Sequence, residues 1–157
     1  MSENAGRTFD LVTLGQLLLR LSPPNNERLM RCDVFEKQVG GAELNVAVGV
    51  SLLGLHTGII SKIPSHDIGS FMKGKIRSYG VSDDFFIYDK SPSARVGIYY
   101  YENGAYPRKP KVIYDRANSS FYSIKIDEIP EEVYSATKCF HTSGITLALN
   151  PQIRKTA

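Results

Sequence analysis

The sequence predicts an α/β fold in which helices flank a parallel β-sheet. Short apolar runs alternate with amphipathic stretches of helical period, and a glycine follows several of them. The order is a strand, a small excursion, and then helix, strand, helix and strand, which is typical of a parallel sheet because each crossover needs a helix. Five segments carry this pattern: strand 9–14, helix 43–53, strand 57–63, helix 67–79 and strand 81–88.

The composition is that of a globular protein. With 157 residues, 42% of them hydrophobic and 22% charged, the chain can bury the core of one domain. The net charge of +3 is small and the basic run 108–111 is typical of a solvated loop, so we expect no nucleic-acid partner. No apolar run approaches the ~18 residues of a membrane span, and residues 1–7 lack the apolar segment of a signal peptide. We interpret the distant Cys32 and Cys139 as reduced thiols of a cytoplasmic protein, and no cysteine–histidine cluster predicts a metal site.

Four β-compatible segments lie outside the α/β alternation. Two of them precede the first helix, and two follow residue 93 and are joined across Asn103-Gly104, a strong turn dipeptide. Because they interrupt the order of the other elements, we expect them to form a small separate sheet. The segments are 17–22, 32–39, 94–103 and 111–117.

A double glycine, Gly40-Gly41, opens the first predicted helix. Leu44, Ala47 and Leu52 fit the buried face of that helix. The pair is predicted to let the backbone turn sharply with positive φ and to leave N–H groups open to the oxygens of a ligand. We also expect it to act as a hinge between the small sheet and the helix.

Side chains near this hinge predict a site for a small polar molecule. Asn45 lies about one turn into the helix and offers an amide donor and acceptor to hydroxyl groups. Tyr114 and Arg116 have the spacing of one strand face, and a guanidinium can hold a carboxylate through a bidentate fork. Together they indicate a site for a polyol with an acid group, closed by the small sheet. The alternative is structural: glycines for packing, a capping asparagine and tyrosines on a sheet face.

The end of the chain predicts that more sequence follows it. A short helix at 129–136 and a strand at 138–143 precede Asn150-Pro151, which has the N-cap and first residue of a helix. Residues 152–157 are too few for the crossover helix that a parallel strand needs. We therefore expect the chain to be the first half of a longer protein, and a short natural tail is the alternative.

Eight stretches of the sequence match one known family. They are 9–15, 19–24, 40–48, 67–69, 79–81, 96–99, 112–117 and 141–146. On these residues the chain resembles the ribokinase-like (PfkB) sugar kinases, and among them it is most similar to the 2-keto-3-deoxygluconate kinases. The glycine-pair block is a specific signature of the superfamily, whereas the Tyr-x-Arg and Ser-Gly-Ile-Thr pieces narrow the resemblance to the subgroup. The resemblance covers nearly the whole chain.

The resemblance implies a fold, an activity and a set of binding residues. Residues 1–157 would be the N-terminal part of a kinase domain with a central parallel sheet, helices on both faces and a β-sheet lid over the sugar. The implied activity is ATP- and Mg²⁺-dependent phosphorylation of 2-keto-3-deoxygluconate, in a homodimer paired through the lid strands. The positions that match the family's acceptor-binding residues are Gly40, Gly41, Asn45, Tyr99, Tyr114 and Arg116.

Two departures from the family pattern matter. Gln16 stands where the family usually has an acidic residue, which leaves the choice of sugar open. The family's Gly-Ala-Gly-Asp motif, which carries the catalytic base and an anion hole, does not occur in the 157 residues. The resemblance therefore implies no catalytic, cofactor-binding or metal-binding residue in this chain, which we expect to be inactive alone. A kinase for another sugar, such as fructose, and a non-catalytic sugar-binding or dimerising module are the alternatives.

Overall fold

The computed structural model describes residues 8–157, which form two sheets and five α-helices. The prediction about a signal peptide concerned residues 1–7, which lie outside this range. The strands are β1 Phe9–Leu14, β2 Leu18–Ser22, β3 Glu36–Gly40, β4 Thr57–Pro64, β5 Val81–Ser82, β6 Phe86–Asp89, β7 Gly97–Glu102, β8 Lys111–Asp115 and β9 Thr137–His141. The helices are α1 Ala42–Leu52, α2 Asp67–Ser78, α3 Glu132–Ala136, α4 Gly144–Leu147 and α5 Pro151–Thr156.

The large sheet is parallel throughout, which confirms the predicted fold class. Its strand order is β5-β4-β1-β9, and β6 pairs with the far end of β4. In the centre, Thr13 of β1 lies between Ile59 of β4 and His141 of β9. Side chains that alternate along β4 enter different cores: Ile59 packs with α1 and α2, and Ile60 packs with Phe121 and the α5 side. Apolar side chains thus cover both faces, as a parallel sheet requires.

The small sheet has the order β3-β2-β7-β8. The β2–β3 and β7–β8 pairs are antiparallel, whereas β2 and β7 are parallel. The chain reverses between Ala105 and Arg108 and not at Asn103-Gly104, where the turn was predicted. Leu19 and Val39, which are partners in the register, pack into the same core as α1 and α2. One face of the small sheet is therefore fixed on the core, and residues of its other face line a cavity.

Three further sequence predictions were wrong in detail. The strand expected at 81–88 is two strands, because a turn at Asp83 moves the chain from one end of β4 to the other. The helix expected at 129–136 begins at Glu132. Leu52 is not on the buried face of α1 but 78% exposed, since at 100° per residue it lies about 140° around the helix from the buried Ala47.

The end of the chain and the two thiols follow the predictions. Asn150 caps α5, because its Oδ1 accepts a hydrogen bond of 2.8 Å from the Ile153 N–H, and Pro151 is the first helical residue. Cys32 and Cys139 are both free. Within residues 8–157, no helix combines the length and the apolar character needed to cross a membrane.

Candidate functional site

A cavity of about 290 Å³ lies where the small sheet meets the start of α1. The small sheet forms one wall with β2, β7 and the end of β8, and the opposite wall comes from α1 and α4. Its lining residues are Gln16, Leu18, Arg20, Gly41, Ala42, Glu43, Asn45, Tyr99, Tyr101, Val112, Tyr114, Arg116, Ile145 and Thr146. A cavity of this size, with polar groups from several elements, suits a small polar ligand.

The glycine pair shapes this cavity by close approach. The predicted positive φ was wrong, because Gly41 has φ 162° and ψ 141°, an extended conformation open to any residue. What excludes a side chain is space. A Cβ on Gly41 would lie 2.8 Å from the carbonyl oxygen of Gln16, and one on Gly40 would lie 2.5 Å from the Tyr99 hydroxyl. The pair thus lets β1, β7 and the start of α1 converge.

Aromatic side chains of the small sheet form the second wall. The rings of Tyr99 and Tyr114, which face each other in the β7–β8 register, have centroids 5.9 Å apart. The Arg20 guanidinium lies 4.3 Å from the centroid of the Tyr101 ring, and its Nε donates a hydrogen bond of 2.9 Å to Ser22 Oγ. Burial raises the pKa of the Tyr99 phenol, and the nearby Arg20 charge only partly opposes this shift. Like an ordinary tyrosine, Tyr99 is protonated at neutral pH, and the shift moves its ionisation further from that pH.

Arg116 and Arg20 are the two cations that line this cavity, and neither belongs to an ion pair within residues 8–157. Arg116 lies just past the end of β8, with its guanidinium 5.7 Å from the centroid of the Tyr114 ring. Its Nε is buried and has no hydrogen-bond partner in the described part of the chain. An arginine without a counter-ion in a cavity wall can bind a carboxylate with two parallel hydrogen bonds.

A buried glutamate ties α1 to the turn after β9. Glu43 is 2% exposed, and its Oε1 accepts hydrogen bonds from the Ser143 N–H at 3.1 Å and the Ser143 hydroxyl at 2.5 Å. Ser143 immediately precedes α4, which brings Ile145 and Thr146 to the cavity. Thr146 Oγ1 is buried and has no hydrogen-bond partner among the residues that the structure describes. Glu43 therefore positions the α4 side of the site.

The structure brings the six predicted binding residues to one region. The main cavity is lined by Gly41, Asn45, Tyr99, Tyr114 and Arg116. Gly40 lines an adjoining cavity of about 480 Å³, which shares three lining residues with the first: Arg20, Asn45 and Tyr99. Asn45 is exposed, so its amide is free to meet a ligand at the mouth of both.

Sequence reasoning missed Arg20, Tyr101, Glu43 and Thr146. The signal for Arg20 was present, because it separates two apolar residues of β2 and must point away from the face that they bury. Tyr101 has the same strand parity as Tyr99, which is also visible in the sequence. Nothing local in the sequence marks Glu43 or Thr146, since their roles depend on contacts between segments about 100 residues apart.

Acidic and histidine side chains do not assemble into a metal site in the part of the chain described. Within residues 8–157, no group of three or more histidine, cysteine, aspartate or glutamate residues is placed to hold a metal ion. The lining of the cavity offers hydroxyl, amide and guanidinium groups, together with the Glu43 carboxylate.

Comparison with known proteins identifies relatives of this chain. Residues 8–157 match the model of the pfkB family carbohydrate kinases. The 2-dehydro-3-deoxygalactonokinase of Haloferax volcanii is 39% identical over 149 residues, which cover 95% of this chain and 46% of that protein. The crystal structure of 2-dehydro-3-deoxygluconokinase from Thermotoga maritima is 36% identical with a TM-score of 0.88, over 94% of this chain and 45% of that chain.

A third relative was solved with a nucleotide. An uncharacterized sugar kinase from Pyrococcus horikoshii, in complex with ATP, is 25% identical with a TM-score of 0.80, over 93% of this chain and 46% of that chain. The chain thus spans a little less than half the length of these three relatives. Because the family match extends over the whole described range, the chain belongs to the pfkB family of carbohydrate kinases.

Proposed function

We propose that the protein to which this chain belongs phosphorylates a keto-deoxy sugar acid of the 2-keto-3-deoxygluconate type. The observation that carries the proposal is Arg116, a guanidinium without an ion-pair partner in the described chain, in the same cavity wall as Tyr114. A carboxylate supplies the missing partner, and bidentate hydrogen bonds orient it. The 2-dehydro-3-deoxy sugar acids named in two of the relatives have such a carboxylate.

The remaining residues of the cavity suit the hydroxyl groups of that sugar. Asn45 offers both a donor and an acceptor, and the Tyr99 phenol offers a hydroxyl donor. Gly40 and Gly41 keep the backbone of α1 within reach of the ligand. These four residues, with Tyr114 and Arg116, form the proposed acceptor site.

ATP and Mg²⁺ complete the proposed reaction. Phosphoryl transfer needs the acceptor hydroxyl, the metal ion and the nucleotide phosphates in one arrangement. We assign no ATP, metal or catalytic-base residue to this chain, which in this proposal supplies the acceptor side. We expect the 157 residues alone to be inactive, because they span less than half of their relatives' length. The homodimer through the small sheet and the cytoplasmic location stay predictions.

The substrate class is tested by an ADP-release assay on the full-length protein. The panel contains 2-keto-3-deoxygluconate, its galactonate epimer and fructose, each with ATP and Mg²⁺. We expect a kcat/KM for at least one sugar acid about 100-fold above that for fructose, since a buried charge pair is worth roughly 3 kcal/mol. The epimer is included because the relative at 39% identity is named for the galactonate sugar. Equal or better turnover of fructose would refute the acid assignment, and binding without turnover would favour a non-catalytic module.

A further inference from the structure

Arg20 is a second arginine of the cavity wall, and the proposed acceptor site gives it no ligand group. It lies on β2 and lines both the main cavity and the adjoining one. Its Nε donates a hydrogen bond of 2.9 Å to Ser22 Oγ, and its Cζ lies 4.3 Å from the centroid of the Tyr101 ring. These two contacts orient the guanidinium. Its two terminal nitrogens take part in no hydrogen bond or ion pair within residues 8–157, so they can donate to a ligand.

Arg20 belongs to a row of side chains that crosses all four strands of the small sheet. Its register partners are Gln38 of β3 and Tyr99 of β7, and Tyr99 is the partner of Tyr114 of β8. Residues paired in this way present their side chains on the same face of a sheet. Arg116 follows Tyr114 by two residues and therefore has the same parity. The open face thus carries one cation on each side of the tyrosine pair, on strands that are about 10 Å apart.

One small molecule can contact both arginines, because both line the main cavity of about 290 Å³. In the proposed function the carboxylate of the acceptor meets Arg116, which leaves Arg20 for another part of the molecule. A guanidinium binds a carboxylate or a phosphate through paired N–H groups. A second acidic group on the sugar chain would therefore complete Arg20 as the first completes Arg116.

The adjoining cavity gives such a second acidic group room. Its volume is about 480 Å³, and its charged lining residues are Arg20 and Glu36. Glu36 is exposed and belongs to no ion pair within residues 8–157, so solvent screens its repulsion of an anion. The neutral side chains that can donate a hydrogen bond to an anion there are Ser22, Gln38, Asn45, Tyr79, Tyr99 and Asn103.

We infer that Arg20 forms a second anion subsite beside the acceptor site, and that the two together bind a six-carbon sugar acid with a second acidic group at its other end. Such a ligand engages Arg116 and Arg20 at once, whereas a sugar acid with one carboxylate leaves Arg20 without an anion. The phosphorylated product of the proposed reaction carries a carboxylate and a phosphate, so it is expected to inhibit the enzyme through these contacts. The inference rests on the proposed function, since it assumes that Arg116 holds the carboxylate of the acceptor.

The test measures the dissociation constants of three six-carbon acids for the full-length protein by calorimetry. D-Gluconate has one carboxylate, D-glucarate has two, and 6-phosphogluconate has a carboxylate and a phosphate. We expect the ligands with two acidic groups to bind at least about tenfold more tightly than gluconate, and Arg20→Gln to reduce this preference below about threefold, because it removes only the second cation. A preference for only one of the two supports the subsite and assigns it to carboxylate or to phosphate. Equal binding of all three by the wild type would overturn the inference.

Competition kinetics locate the bound ligand. 6-Phosphogluconate should compete with 2-keto-3-deoxygluconate in the ADP-release assay, because both need Arg116 in the main cavity. Competition with ATP alone would place the phosphate in the nucleotide site and would overturn the inference.

Two substitutions in the adjoining cavity should change the preference for a second acidic group in opposite directions. Glu36→Gln removes a carboxylate and should raise the preference, whereas Gln38→Glu adds one beside Arg20 in the register and should lower it. Both positions are exposed, so we expect both variants to fold. A merely structural role of Arg20 predicts the wild-type preference in both variants, and that result would contradict the subsite.

Lys37→Gln is the control for a general loss of positive charge. Lys37 is on the same sheet, but its Nζ lies 4.3 Å from the centroid of the Phe71 ring and it lines neither cavity. Its preference should stay at the wild-type value, and a fall as large as that of Arg20→Gln would refute a local effect. A full-length protein that binds neither gluconate nor 2-keto-3-deoxygluconate refutes the proposed function itself. One that phosphorylates 2-keto-3-deoxygluconate but prefers neither ligand with two acidic groups refutes this inference alone.

Discussion

The large and small sheets differ in how their strands use their two faces. In the large sheet, β1 and β4 are buried almost along their whole length, with apolar cores on both sides. In the small sheet, β8 is exposed at all five residues, and the sheet presents arginine and tyrosine side chains to a cavity. From this difference we predict that substitutions in the large sheet mainly lower the free energy of unfolding, whereas substitutions on the open face of the small sheet mainly lower the affinity for a ligand.

The largest expected effect on stability lies in the large sheet. Ile60→Ala removes a side chain that is fully buried between β1 and the α5 side, and should lower the free energy of unfolding by about 2–5 kcal/mol through lost burial and a residual cavity. The matched change in the small sheet, Ile113→Ala, removes a side chain that is 44% exposed and should cost less than about 1 kcal/mol. Urea unfolding of the full-length protein measures both. Equal losses in the free energy of unfolding would refute the predicted difference between the two sheets.

An intermediate effect is expected where the two sheets meet. Gly40→Ala places a Cβ against the Tyr99 hydroxyl, which should cost about 1–3 kcal/mol of stability and raise the KM for the sugar acid, because Tyr99 has to move. Gly49→Ala is the control, since its position in α1 is exposed and has open space around it. That change should stabilise the protein by about 0.5–1 kcal/mol, as alanine favours helix over glycine. A stabilising Gly40→Ala would show that the close approach is not needed.

A smaller, pH-dependent effect is expected at the edge of the large sheet. Burial alone would raise the pKa of the Asp83 carboxyl, but hydrogen bonds from Arg77 and Lys73 of α2 outweigh burial and lower it. A lowered pKa in the folded state means that the stabilisation is present above the unfolded value of about 3.9 and is lost as the pH falls through the folded pKa. Asp83→Asn should therefore cost about 1 kcal/mol at pH 7 and progressively less below pH 4, as both proteins then carry a neutral group.

The control for this effect is the neighbouring carboxylate. Asp84 is exposed and forms none of the ion pairs found in the described range. Asp84→Asn should leave both the stability at pH 7 and its dependence on pH nearly unchanged. If the two variants behave alike, the contacts of Asp83 with α2 do not contribute to stability.

Different features of the sequence predict the large sheet and the small sheet. Continuous apolar runs and helical periodicity predict the large sheet directly, because burial on both faces restricts β1 and β4 to apolar side chains. The hairpin of β7 and β8 was equally visible in its alternation, but its turn was misplaced, because the chain reverses between Ala105 and Arg108 and not at Asn103-Gly104. The division of 81–88 into two strands was not visible, since it depends on Asp83 pairing with α2.

The residues of the candidate site were likewise predictable only in part from the sequence. Residues that share a strand face, such as Tyr114 and Arg116, could be placed together from their spacing. The glycine pair was found, but its reason was misjudged, because the crowding at Gly40 comes from Tyr99, which is 59 residues away in the chain. Glu43 accepts hydrogen bonds from Ser143, and Gln16 donates one to Ser119. Only the fold brings these distant residues together, so no local pattern in the sequence could assign the contacts.

The most direct test of the proposed acceptor site is the KM for 2-keto-3-deoxygluconate of the full-length wild type beside that of Arg116→Ala. Loss of a partly buried charge pair should cost on the order of 2–4 kcal/mol and raise the KM about 30- to 700-fold, with a far smaller change in kcat. Arg116→Lys keeps the charge but not the planar fork, so its KM should lie between those of the wild type and Arg116→Ala. Tyr114→Phe should raise the KM only severalfold. A KM that stays at the wild-type value in Arg116→Ala would contradict the carboxylate assignment and, with it, the proposed substrate class.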